Sequence, residues 1–75
     1  MYSRHQQLFL LAYIEQHIIE GSEHIATIRR LIAEGERQRF DMADAKLTLA
    51  EFLTTQAHRE AHREQVLREL DPVGS

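Results

Sequence analysis

Leu11, Ile14, Ile18, Gly21, Ile25, Ile28, Ile32 and Gly35 follow one another at spacings of 3, 4, 3, 4, 3, 4 and 3 residues, the repeat of a helix that packs lengthwise against other helices. A strand turns successive side chains to opposite faces and cannot gather these positions on one side. The repeat restricts the chain to an all-α architecture of long rods. It specifies no chemistry, because such a seam is a packing device.

Punctuation along the chain divides it into two rods. Ser3 followed by Gln6 has the spacing of a capping box, so helix 1 is expected to begin there and run over about 3–34, with Gly35 as the left-handed residue that closes it. Residues 35–40 read as a short loop. Asp41 is a good N-cap, and Phe40 and Ala45 stand at the two positions of a hydrophobic staple. Helix 2 then extends over about 41–70, a stretch without Gly or Pro, until Asp71 and Pro72 stop it and leave a short tail, 71–75. Helices joined by so short a loop lie antiparallel, so residues whose numbers sum to about 76 face one another. Gly21 followed by Ser22 allows a kink in helix 1 or close approach of a neighbouring helix. Its place on the seam favours close approach. With no linker in the chain, residues 1–75 form a single helical-hairpin domain.

A chain of 75 residues buries only about 60–65% of its unfolded surface. There is no Cys, so disulfides and thiolate zinc sites are excluded, and self-association is the leading way to complete the core. Helix 1 is apolar over more than one partner's width. Its centre holds Leu10, Leu11, Ile14, Ile18, Gly21, Ile25, Ile28 and Ile32, and a second ridge beside it holds Tyr13, His17, His24 and Leu31. These twelve residues are the expected interface of a coiled-coil-like homodimer in which two antiparallel hairpins make a four-helix bundle.

Helix 2 is apolar at its ends, through Met42, Ala45, Leu49, Phe52 and Leu53 and again through Leu67 and Leu70, with Val66 further round. In the middle the same face meets Gln56, Glu60 and Arg63, which the sum rule places near Tyr13, Gln16, His17 and Glu20. This polar layer has three readings. It is a satisfied network that fixes register, a set of side chains that snorkel to water, or a ligand site.

The third reading includes a metal, since bundle-core metal centres use inward Glu and His. His17, His24 and Glu60 supply the residue types, although Glu20 to His24 is one residue longer than the Glu-x-x-His spacing of carboxylate centres. His58 and His62, four apart, share a helical face, yet point away from the core, and no third ligand accompanies them. Ser and Thr residues sit on helices without any elbow to present a nucleophile. No catalytic residue and no cofactor are expected.

The net charge of −3 and pI of about 5.9 argue against a domain built to hold nucleic-acid phosphates. Arg29, Arg30, Arg37 and Arg39 gather at the loop end and offer a weak nucleic-acid contact, diluted by Glu34, Glu36 and Asp41. The longest apolar run, Leu8 to Ile14, falls far short of the roughly 20 residues that span a bilayer. Glu15, Gln16 and His17 follow it where a secretory signal needs small residues, so cytoplasmic residence is expected.

The run from Asp41 to Leu70, with Ala45, Leu49, Phe52, Leu53, Ala57-His58, His62-Arg63 and Leu67 in order, resembles a group of small uncharacterised bacterial helical-hairpin proteins. The resemblance implies a hairpin and carries no activity. Taken together, these readings predict a non-catalytic interaction or regulatory module that self-associates, or else joins an unidentified protein partner. A metal-binding bundle is the alternative.

Overall fold

Two reciprocal bonds start the first rod. The Ser3 hydroxyl accepts from the Gln6 backbone N–H at 3.1 Å, and the Gln6 side-chain carbonyl accepts from the Ser3 N–H at 2.9 Å. They satisfy donors that a helix start leaves open. In the computed structural model, which describes residues 3–70, α1 then spans Arg4–Arg37 and α2 spans Ala43–Leu70. The tail 71–75 expected from Asp71 and Pro72 lies outside the described residues. Helix α1 runs unbroken through Gly21 and Ser22, so the seam glycine serves packing and does not divide the rod.

The two helices pack antiparallel along their length into a rod of 54 × 19 × 17 Å. Cross-helix bonds fall where the sum rule places them: Arg4 to the Leu70 carbonyl, Gln7 to Glu69, and Gln56 to both Ile18 and Ser22. On α1 the buried residues are Ile14, Gly21, Ile25, Ile32 and Gly35, members of the seam. On α2 only Gln56 and Val66 are buried. Leu53, expected at the centre of α2, is 40% exposed, whereas Val66, expected to lie further round, is 3% exposed and the most enclosed apolar residue.

The turn corrects the position of the first helix end. Gly35 does not close α1, which continues to Arg37, because Gly35 is spent on packing: a Cβ there would collide with the Met42 side chain, with Met42 Cε only 2.8 Å away. The left-handed residue is Arg39, at φ 63°. Its N–H reaches the Glu36 carbonyl at 3.0 Å, and the Phe40 N–H reaches the Gly35 carbonyl at 2.9 Å. These are the two bonds of a Schellman cap, built on an arginine where glycine is usual.

Helix α2 starts one turn-residue later than the Asp41 reading. Asp41 Oδ1 accepts from the Ala43 N–H at 3.0 Å, so its carboxylate does cap the helix, but the Met42 carbonyl takes the first helical bond, from Lys46 at 2.9 Å. This shift takes Phe40 and Ala45 out of staple register, and Phe40 is 63% exposed.

A non-glycine residue held at positive φ is disfavoured by about 1 kcal/mol. Arg39→Gly is expected to raise stability by about 0.5–1 kcal/mol and the melting temperature by several degrees in a thermal scan followed by circular dichroism. An unchanged or lower midpoint would contradict the cap assignment.

Candidate functional site

Near the middle of the rod the seam of α1 has no side chain, and that of α2 has a polar one. Gln56 is 6% exposed and lies against Gly21. Its Nε2 donates to the Ile18 carbonyl at 2.7 Å and to Ser22 Oγ at 3.1 Å. A Cβ on Gly21 would strike Gln56 Oε1 and stand 3.0 Å from Gln56 Cδ and 3.1 Å from Arg59 Nη1. Glycine is required here by close approach, not by backbone conformation. Gln56 Oε1 is buried and has no hydrogen-bond partner among the described residues, a state that costs about 1–3 kcal/mol.

The polar layer is present with a changed membership. Gln56 and Arg63 belong to it. Glu60 is exposed, and Arg59 takes the inner position assigned to it, half-buried beside Gly21. Arg63 pairs with Glu15 at 3.2 Å and with Glu64 at 3.2 Å. The groups bonded across the helices are Ile18 and Ser22 to Gln56 and Glu15 to Arg63, while Tyr13 and His17 lie beside Arg59 without a hydrogen bond to the layer. From Met42, just before α2, the inner face continues through Ala45, Leu49, Phe52, Gln56, Arg59, Arg63, Val66 and Leu70 at alternating spacings of 3 and 4, each buried or half-buried, with Leu67 half-buried beside Val66.

The twelve expected interface residues divide into two groups. Ile14, Gly21, Ile25 and Ile32 are buried, with Leu11, Ile18 and Ile28 half-buried beside them along the same seam, so the contact they make is internal to the hairpin. The second ridge stays on the surface: Tyr13 is 58% exposed and Leu31 60% exposed, His24 is exposed, and Leu10 and His17 are half-buried. Leu10, Tyr13, Ile14 and His17 line one wall of an open groove of about 300 Å³ whose other wall is Arg59 and His62. The Tyr13 and His17 rings are tilted at 4.4 Å between centroids, and His24 tilts against Phe52 at 5.9 Å. These contacts put the ridge and one edge of α2 on the same side of the rod.

Among the described residues no group of three or more His, Cys, Asp or Glu stands close enough to hold a metal ion. His17 and His62 share the groove, and His17 Nδ1 lies 3.8 Å from Glu20. His58 and Glu60 are exposed on other faces of α2, so the ligand set His17, His24 and Glu60 is not brought together. At the turn, Arg37 pairs with Glu34, Arg30 bonds the Thr27 hydroxyl at 3.3 Å, and Lys46 pairs with Glu36 at 2.6 Å. Of the four loop-end arginines, Arg37 is the one paired with a carboxylate among the described residues. No helix among the described residues is long and apolar enough to cross a membrane. Comparison of the chain with protein-family models, curated proteins and solved structures found no match in any of the three.

Gly21→Ala tests the central layer. Overpacking against Gln56 is expected to cost about 1–3 kcal/mol, outweighing the roughly 1 kcal/mol that alanine gains in helix propensity. In a Gln56→Ala background only the mobile tip of Arg59 remains near the new Cβ, so the same substitution becomes neutral or stabilising by up to about 1 kcal/mol. Urea unfolding of the four proteins reads the change of sign, and equal costs in both backgrounds would refute the contact.

Proposed function

We propose that the hairpin is a cytoplasmic, non-catalytic interaction module that completes its core by pairing with a second copy into a four-helix bundle. The supporting observation is incomplete burial. No large side chain among the described residues is fully enclosed, the apolar core consists of Ile14, Ile25, Ile32 and Val66, and eight large hydrophobics remain exposed. Four core residues are too few for a chain of this length, and no disulfide supplements them. A regulatory role belongs to the same reading.

Sedimentation equilibrium at micromolar concentration is expected to give twice the 8.8 kDa chain mass. The unfolding midpoint is also expected to rise with protein concentration, as mass action requires when folding and association are coupled. A folded monomer with a concentration-independent midpoint would overturn the proposal.

A further inference from the structure

The surface ridge of α1 is Leu10, Tyr13, His17, Glu20, His24, Thr27, Leu31 and Glu34, at spacings of 3, 4, 3, 4, 3, 4 and 3. This pattern reads the same in both directions. Turned end for end about a point at Ser22, it lays Tyr13 on Leu31 and Glu20 on His24, with Leu10 along the stem of Glu34. We propose that the second copy docks on this ridge with its α1 antiparallel, on a two-fold axis that crosses α1 at the level of the Gly21–Gln56 layer. The inference rests on the self-association proposed above and specifies its face, direction and register.

Three observations carry it. Tyr13 and Leu31 are large hydrophobics that the hairpin leaves exposed on this ridge, at 58% and 60%, with Phe9, 74% exposed, beside Tyr13, and the axis brings Tyr13 and Leu31 onto each other twice. Charge selects the direction. In the antiparallel arrangement Glu20 faces a histidine from each copy, whereas a parallel one stacks Glu20 on Glu20 and costs rather than contributes energy. Area is sufficient as well: one face of a rod 54 Å long and 19 Å wide offers on the order of 1,000 Å², above the roughly 800 Å² per partner of a standard interface.

Because the chain has no Cys, single cysteines report the geometry directly. Tyr13→Cys and Leu31→Cys are made separately at exposed positions, and circular dichroism checks that each remains folded. In the antiparallel dimer a cysteine at position 13 lies about 27 Å from its own copy, far beyond the roughly 7 Å Cα limit of a disulfide. Oxidation of either variant alone is therefore expected to yield little cross-linked dimer. An equimolar mixture, refolded together, is expected to yield the mixed disulfide in at least tenfold excess over either homodimer. A dimer of the right mass in which each variant cross-links to itself would show a parallel arrangement and overturn the inference while leaving self-association intact. A dimer with no cross-link in any sample would place the interface on another face, with the same consequence. A monomer in sedimentation would remove both.

Discussion

A carboxamide wedged against a bare backbone holds the register of this hairpin. Gln56 reaches past Gly21 to the Ile18 carbonyl and the Ser22 hydroxyl, a geometry available at one relative position of the two helices. Elsewhere the seam of α1 is mostly isoleucine, and aliphatic contacts tolerate sliding by a turn because such packing is weakly directional. Slipping α2 by one heptad would push Gln56 against Ile14 or Ile28 and leave its amide buried without acceptors, at a cost of several kcal/mol relative to the native pairing. The polar layer thus contributes specificity while lowering the maximum stability of the seam, as an Asn at a core position does in coiled coils.

The same layer explains why the core is thin. Gln56, Arg59 and Arg63 occupy three consecutive inner positions of α2, and glycine stands opposite the first of them, so the middle of the rod buries little hydrocarbon. Arg63 compensates through Glu15 and Glu64, but pairs this exposed, at 38–58% side-chain accessibility, contribute little in water. The buried apolar residues flank this layer, Ile25 and Ile32 on the side of the turn and Ile14 and Val66 on the side of the termini. What lies between is aligned rather than strongly held.

The rods, their direction and the first cap were legible in the sequence because each rests on local physics: a 3-4 repeat, a Ser3–Gln6 pair four positions wide, a loop too short for anything but an antiparallel return. The errors have physical causes too. Gly35 reads as a helix terminator only if its backbone is what matters; here its missing side chain admits Met42, and Arg39 takes the left-handed turn instead. Glu60 projects onto the seam in the sequence because an ideal straight helix drifts by about 20° per heptad from a supercoiled one. Over α2 that drift carries the projected face one residue aside, so Glu60 replaced Arg59 and Val66 fell off the centre. Two arginines on an inner face also conceal the repeat, because a hydrophobic pattern registers them as gaps even where their stems pack. The division of the α1 surface between internal seam and outer ridge was not legible at all, since both are apolar and only the position of α2 separates them.

That division gives the outer ridge its meaning. A ridge left over from an imperfect hairpin would carry scattered apolar residues with no relation to one another, as single exposed hydrophobics commonly do. Ile19, Leu47 and Phe40 are of that kind, exposed at separate places on the rod. Tyr13 and Leu31 differ because they occupy positions related by reversal of a regular repeat, with Glu20 related to His24, and His17 to Thr27, between them. A surface that is complementary to its own reverse satisfies the condition for an isologous two-fold contact, in which every interaction occurs twice and the assembly closes at two copies. An unrelated partner would need no such symmetry. The pairing of Tyr13 with Leu31 and of Glu20 with His24 is what argues for a second copy; the spacing alone does not, since the internal seam has the same spacing and packs against α2.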